Sequence, residues 1–172
     1  AEAIGEDAGQ QGTEDATHAM HAKHVERVIR TGPHPVLMVN REAGGPYRTV
    51  LAALDLSEPS VHALRTSIRL RLLQDAQLTV VHAFLPLAKG KMSYAGLSTD
   101  SIDDYVASER LRAANELTTF LDASGMTDYP QSTVTEEGSP FKVIARAVRR
   151  LHSDVLVMGT HGRSAVGRAL LG

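Results

Sequence analysis

Residues 49–59 read TVLAALDLSEP, and this stretch decides the fold class. Its first six residues are apolar without alternation, which is typical of a strand that is covered on both faces in a parallel sheet. Asp55 ends the apolar run, and Ser57 and Pro59 then supply an N-cap and a first-turn proline. The stretch therefore predicts a buried strand that leads directly into a helix.

Strand and helix patterns alternate along the rest of the chain. Apolar residues at helical spacing predict three helices, over 61–73, 102–124 and 140–151. Apolar or β-branched runs predict three further strands, at 78–84, 131–135 and 154–158. The strand at 131–135 is polar and is expected at an edge, and residues 85–101, which show no period, predict a long loop. The alternation predicts an α/β fold, a doubly wound parallel sheet with helices on both faces.

The composition excludes several classes of protein. The chain has 172 residues, of which 42% are hydrophobic and 22% charged, as in one globular domain with a fragment of another. A net charge of -2 gives no general attraction for nucleic acid or an anionic membrane. The absence of cysteine excludes disulfides, thiolate nucleophiles and cysteine-based zinc sites. Apolar runs reach about six residues against roughly 20 in a membrane span, and there is no signal-peptide layout, so we expect a cytoplasmic protein.

The first 45 residues stand outside the alternation. Residues 1–22 are small, polar and rich in acids, and they are expected to form a flexible segment or loop, with a short surface helix as the alternative. Residues 23–31 carry a helical apolar face. The run PVLMV at 35–39 predicts a short strand, which is followed by a glycine-containing turn.

The last predicted strand runs into a glycine-containing segment. Residues 158–172 read MGTHGRSAVGRALLG. Glycines directly after a buried strand let successive backbone N–H groups approach a phosphate, and Arg163 is placed to add a charge-assisted contact. The alternative is a strand-to-helix turn that needs glycine because its φ is positive. Either way, the segment lies at the carboxyl end of the sheet, where doubly wound folds bind ligands.

The spacing of the glycines carries further information. Gly159, Gly162 and Gly172 follow the order Gly-x2-Gly-x9-Gly, and Leu54-Asp55-Leu56-Ser57 ends the first predicted strand. Together with Val80-Val81-His82-Ala83 at the end of the second strand, these motifs resemble the nucleotide-binding members of the universal stress protein family. The resemblance covers the whole alternating part of the chain.

The resemblance implies a site for ATP, accompanied by Mg²⁺. By the resemblance, Asp55 and the backbone around Ala83 would hold the adenine and ribose end of the nucleotide. Gly159, Gly162 and Gly172 would cradle its phosphates.

Other side chains flank these positions. By the same resemblance, Met158 would line the approach to the phosphates, and His161 and Arg163 lie within the glycine motif. His82 and His161 are each either an acid–base group near a bound phosphate or an ordinary strand or loop histidine.

The family fold is a five-stranded sheet of the adenine nucleotide alpha hydrolase type. In the family, a Ser or Thr, a closing helix and a fifth strand follow the last motif glycine, whereas this sequence ends at Gly172. Residues 23–45 resemble that closing helix and strand. We therefore expect 23–45 to close a preceding universal stress domain and 46–172 to form most of a second one in tandem.

Two other arrangements remain open. In the first, the sequence joins segments that are separated in the full protein. In the second, the strand at 35–39 forms the fifth strand of its own domain's sheet. The second is disfavoured because the roughly seven connecting residues reach only ~24 Å, which one strand length and two strand spacings nearly exhaust. We expect 35–39 to pair with another sheet, in a tandem domain or a homodimer.

Three functions agree with these residues. The first is an ATP-binding universal stress protein that regulates the stress response through nucleotide binding and contacts between subunits or partners. The second is a universal stress scaffold that has lost the nucleotide. The third is an enzyme that uses Asp55, His82 and His161 on a small phosphorylated substrate. For ATP itself, no general base or arginine finger is identifiable, so no catalytic residue is predicted and we expect at most a slow ATP hydrolase, a weak ATPase.

Two further patterns predict ordinary surface. His18, His21 and His24 share a helical spacing but have no carboxylate or cysteine cluster nearby, so no metal site is predicted. The basic residues of the helix over 140–151 are expected to form a solvated face rather than a nucleic-acid site.

Overall fold

A computed structural model describes residues 35–39, 45–126, 128–129 and 131–159. The chain divides into two compact units, residues 1–40 with 171–172 and residues 41–170. Every described helix and strand belongs to the second unit.

Strands and helices alternate in the second unit. Their order is β1 (Thr49–Ala53), α1 (Glu58–Arg69), β2 (Gln77–Phe84), α2 (Lys89–Tyr94), α3 (Thr99–Ala123), β3 (Gln131–Glu137), α4 (Pro140–Leu151) and β4 (Val155–Met158). All described strand pairs are parallel, and the order across the sheet is β3-β2-β1-β4. The predicted α/β fold with a parallel sheet is confirmed. The described residues form four strands, so the predicted fifth strand is not among them.

Helices cover both faces of this sheet. α1 and α3 pack on one face, where Leu64 and Leu117 are buried together with Val80. α4 packs on the other face, where Val143 is buried together with Leu51. Burying one such side chain contributes about 1.5–3 kcal/mol, so these apolar stripes are what holds the helices to the sheet.

The strand order produces a crevice between β1 and β4. From β1 the chain passes to β2 and then to β3 on one side, and it returns to the opposite side of β1 as β4. The helix that follows β1, α1, therefore lies on one face of the sheet, and the helix that precedes β4, α4, lies on the other face. Doubly wound sheets bind ligands at such a point of reversal.

At the opposite, amino end of the sheet, Asp154 joins β4 to β1 through hydrogen bonds. One of its carboxylate oxygens, Oδ2, accepts hydrogen bonds from the backbone N–H groups of Arg48 at 2.9 Å and Thr49 at 3.0 Å. The backbone N–H of Asp154 in turn donates to the Thr49 carbonyl at 2.8 Å. These bonds join the starts of β1 and β4.

The first helix ends earlier than its apolar spacing predicts. α1 ends at Arg69, whereas the spacing predicts a helix to residue 73. Arg71 and Asp75 have positive φ values of 57° and 61°, which end the helical path. Leu73 still packs against the core from the turn that follows. The apolar period therefore continues past the end of the helix.

The loop predicted over 85–101 contains helical residues. α2 lies within it, and α3 begins at Thr99 because the Ser98 hydroxyl accepts a hydrogen bond from Ser101 N at 3.2 Å, as an N-cap does. No residue of α2 is buried, so this short helix has no apolar stripe that a sequence pattern could reveal.

The strand predicted at 35–39 is not formed in this structure. These residues have no regular secondary structure, and their side chains are exposed, Leu37 by 53% and Val39 by 65%. A strand needs a hydrogen-bonded neighbour, and none of the described sheet pairings includes this segment. The predicted flexible segment at 1–22 and the predicted helix at 23–31 lie outside the described residues.

Candidate functional site

A cleft opens at the carboxyl ends of β1, β2 and β4, which is where the strand order reverses. The first turns of α1 and α4 contribute to its walls. Its described lining residues are Ala53, Leu54, Asp55, Ser60, Val81, His82, Ala83, Pro140, Val143, Ile144, Met158 and Gly159.

Asp55 is held by the hydroxyl that the sequence predicts as a helix cap. Ser57 Oγ donates a hydrogen bond to Asp55 Oδ1 and makes no bond to α1, although Ser57 occupies the N-cap position. The Ser57 carbonyl accepts from Ser60 N at 3.1 Å and from Ser60 Oγ at 2.8 Å. Leu56 has a φ of +56°, which is uncommon for leucine and turns the chain between the two side chains. The hydroxyl of Ser57 therefore orients the carboxylate rather than the helix.

β1 leaves the sheet at Leu54, and a histidine completes its last contact. Leu54 N donates to the Val81 carbonyl at 3.0 Å. The Leu54 carbonyl lies 2.8 Å from Nδ1 of His82, and because a carbonyl oxygen only accepts, Nδ1 is the donor. His82 is half-buried and therefore packs as a strand histidine with a backbone partner.

Gly159 packs directly on the first turn of α1. A Cβ atom at this position would lie 2.9 Å from Ser60 N and 3.0 Å from both the carbonyl carbon and the carbonyl oxygen of Pro59. All three are backbone atoms, which cannot rotate away as a side chain does. The φ of Gly159 is not positive, so the predicted alternative of a turn that needs positive φ does not apply here. Close approach of two backbones is what requires this glycine.

α4 supplies an apolar wall. Val143 is fully buried and Ile144 is 4% exposed, and both line the cleft. Gly138, with a φ of +139°, donates its N–H to the Phe84 carbonyl at 3.0 Å and sets the start of the helix. The cleft thus combines an apolar wall with one carboxylate and several backbone groups, as small-molecule sites do.

Ion pairs tie the end of β3 to neighbouring helices. Glu136 Oε2 accepts from Nε and Nη2 of Arg146 at 2.9 and 2.8 Å, and Glu136 Oε1 lies 2.5 Å from Nη1 of Arg150. Burial acts to raise the pKa of Glu136, but the hydrogen bonds and charges of the two arginines outweigh it and lower the pKa below its ordinary value of 4.5. Glu137 pairs with Lys89 at 2.6 Å. Two basic side chains of α4 therefore have carboxylate partners.

The structure brings half of the predicted site residues together. Asp55, Ala83, Met158 and Gly159 all line the cleft. The other predicted positions lie outside the described residues: His161, Gly162, Arg163 and Gly172.

The sequence patterns did not indicate every lining residue. The apolar spacing predicts a helix over 140–151 but does not show that Val143, which is buried, lines the cleft. Nothing in the sequence marks Ser60, whose place depends on how α1 meets β4.

Known proteins share the alternating part of this chain. Residues 46–172 match the Universal stress protein family. The chain belongs to this family. Over 116 residues it is 27% identical to the universal stress protein A homolog of Haemophilus influenzae, a match that covers 67% of this chain and 78% of the relative.

Two further relatives agree. Over 127 residues the chain is 28% identical to the universal stress protein in the QAH/OAS sulfhydrylase 3′ region of Thermus aquaticus, covering 73% of this chain and 86% of that protein. The solved structure of the hypothetical protein MJ0577 has a TM-score of 0.54 to this universal stress protein at 16% identity, covering 69% of this chain and 78% of that one. The latter likeness shows a shared fold.

The described residues contain neither a membrane-spanning helix nor a metal-binding cluster. None of the helices there combines the length and the apolar composition that crossing a membrane requires. No group of three or more histidine, aspartate or glutamate side chains comes together there in a way that could hold a metal ion.

Proposed function

We propose that this universal stress protein binds ATP with Mg²⁺ in the cleft and acts as a cytoplasmic stress-response module through nucleotide binding and partner contacts. The observation that carries the proposal is the convergence of Asp55, the Ala83 backbone and Gly159 at the point where the strand order reverses. No general base or arginine finger is identifiable from the sequence, so we expect at most slow hydrolysis to accompany binding.

The chemistry of the lining residues suits an adenine nucleotide. The Asp55 carboxylate is an acceptor for ribose hydroxyls, and backbone groups beside Ala83 suit the polar edge of a purine. Val143 and Ile144 offer an apolar surface for the face of the ring. Mg²⁺ is commonly held by one or two carboxylates together with substrate phosphates, and Asp55 is the carboxylate that the described lining offers.

The proposed phosphate site combines structure and sequence. Gly159 follows β4 at the cleft, with Met158 beside it. The motif positions Gly162 and Gly172, with His161 and Arg163, complete the site on the strength of the sequence motif.

The proposed partner contact uses residues 35–39. Five consecutive residues of high β-propensity with exposed side chains have the character of an unpaired strand. We place this strand in a fifth sheet position, either of a tandem domain or of a second subunit, with 23–45 as the closing piece and 46–172 as the nucleotide domain. Light scattering on the chain and on the Leu37→Lys variant tests the contact. A dimer that the variant converts to monomer supports pairing between subunits, and equal masses count against it.

Thermal unfolding with added ATP tests the nucleotide proposal. A ligand at 100 times its Kd stabilises a protein by about 2.7 kcal/mol, or roughly 10 °C for a domain of this size. The Asp55→Asn variant should raise the Kd by roughly tenfold or more, because hydrogen bonds to a charged group contribute about 1.5–3 kcal/mol. Asp75→Asn is the matched control, since Asp75 lies in the turn before β2 at the other end of the sheet. Absence of any shift at millimolar ATP in the wild type would refute the proposal.

A scaffold without nucleotide is the second candidate, because Gly159 by itself does not indicate a ligand. Gly159 is required by its contact with Pro59 and Ser60 whether or not a ligand is present. This glycine therefore supports the fold of a scaffold as well as that of a binding protein. Nucleotide content of the purified protein, measured after acid extraction, separates the two candidates.

A further inference from the structure

The pairing of β1 with β2 ends in an unusual way. The parallel register places Ala53 opposite Val81, and Leu54 N continues the ladder by donating to the Val81 carbonyl. In a parallel ladder, a residue that donates to position 81 of its neighbour also accepts from the N–H of position 83. Within the described contacts that second bond, from Ala83 N to the Leu54 carbonyl, is not formed.

The imidazole of His82 takes the place of the missing bond. Its Nδ1 lies 2.8 Å from the Leu54 carbonyl oxygen and donates to it. An N–H group at residue 83 that follows the ladder points towards the β1 side of β2, and Ala83 lines the cleft. The side chain of one residue therefore satisfies the carbonyl that would otherwise bind the amide of the next residue.

We propose that His82 is a positioning residue of the nucleotide site. By binding the Leu54 carbonyl, it leaves the Ala83 amide available to a ligand and fixes the peptide that leads into Asp55. The inference rests on the proposed function, because it concerns how the same cleft is prepared for a purine edge. It assigns to His82 neither ligand contact nor proton transfer.

A purely structural role for His82 predicts something different. If the ring only fills space beside the sheet, any side chain of similar volume should leave ligand binding unchanged. If the ring holds the carbonyl, the position of the donor atom matters. In the absence of a donor, the Ala83 amide is the nearest group in the ladder that can bind the Leu54 carbonyl.

Three substitutions separate these roles. His82→Asn keeps an amide nitrogen close to the position of Nδ1, His82→Gln moves that nitrogen towards the position of Nε2, and His82→Leu has volume but no donor. We expect His82→Asn to bind ATP with a Kd within about threefold of the wild type. We expect the other two to weaken binding by roughly tenfold or more. Urea unfolding of each variant confirms that it is folded, and if His82→Leu does not fold, the comparison of Gln with Asn is sufficient.

A second measurement does not depend on nucleotide. Amide hydrogen exchange of Ala83 in the nucleotide-free protein should be fast in the wild type and in His82→Asn. It should slow by roughly tenfold or more in His82→Leu, where the amide can bind the Leu54 carbonyl.

The outcomes distinguish the inference from the function on which it rests. Slow exchange of Ala83 in the free wild type overturns the inference, and so does wild-type ATP affinity in both His82→Gln and His82→Leu. In both of these cases the proposed function stands. A wild type that binds no ATP overturns the proposed function and, with it, the assignment of His82 to a nucleotide site.

Discussion

Replacement of Gly159 by alanine should destabilise the protein through contact with the helix that follows β1. The added Cβ would lie 2.9 Å from Ser60 N and 3.0 Å from two backbone atoms of Pro59, whereas ordinary contacts of this kind lie at 3.4–4 Å. The first turn of α1 or the end of β4 must therefore move by several tenths of an ångström. Overpacking of this kind typically costs about 1–3 kcal/mol, which corresponds to roughly 4–12 °C in the melting temperature of a domain of this size.

Gly90→Ala is the matched control. A Cβ at Gly90 meets nothing within 4 Å, and the residue is exposed within α2. Alanine is favoured over glycine inside a helix by roughly 0.5–1 kcal/mol, so this variant should melt at or slightly above the wild-type temperature. Differential scanning calorimetry without nucleotide measures both. A Gly159→Ala protein that melts with the wild type would refute the packing argument and leave ligand contact as the reason for this glycine.

Three further outcomes are expected. Glu136→Gln should lower the free energy of unfolding at pH 7 by about 1 kcal/mol, a value reduced because the arginine partners are half exposed. Because the folded-state pKa of Glu136 is lowered, its contribution is present above its ordinary pKa of 4.5 and is lost as the pH falls through the folded pKa. Urea titrations of variant and wild type should therefore converge in acid. Arg112, whose side chain is 64% exposed, gives an Arg112→Gln control with an unchanged midpoint, because ion pairs of so exposed an arginine contribute little. Gly125→Ala should cost about 1 kcal/mol in the same assay, since Gly125 ends α3 with a φ of +66° and open space around it. Ser57→Ala should lower the free energy of unfolding by less than the ~1 kcal/mol typical of a lost N-cap, because the Ser57 hydroxyl binds Asp55 and not the helix. For the same reason it should weaken ATP binding severalfold, as measured by calorimetry. Equal ATP affinity in Ser57→Ala would contradict this assignment.

Elements with a buried apolar face could be predicted from the sequence. The unbroken apolar run that contains β1 and the stripe of α4 each leave a pattern, because burial on the sheet selects apolar residues at a fixed period. α2 could not be predicted, since none of its residues is buried. The run at 35–39 has the composition of a strand, but composition does not supply a neighbour, and these residues are exposed without regular structure.

Some residues of the candidate site could be predicted from the sequence, whereas the contacts that orient them could not. Asp55 and Gly159 follow directly from their places at the ends of apolar runs. The partner of the Ser57 hydroxyl and the bond between His82 and the Leu54 carbonyl depend on where β1 leaves the sheet and on a φ of +56° at Leu56. Such contacts are set by a turn of the backbone that no local pattern of residue types specifies.

The strand order has a consequence for biosynthesis. β1 lies at the centre of the sheet, and its neighbour β4 is the last strand described, so that the bond from Arg48 to Asp154 spans 106 positions. Contacts between residues so far apart form late, because a long loop must be closed before they contribute. On the ribosome, β1 and β2 can pair while the opposite wall of the cleft has not yet been translated. The proposed nucleotide binding should therefore begin in the nascent chain only after β4 has emerged from the exit tunnel.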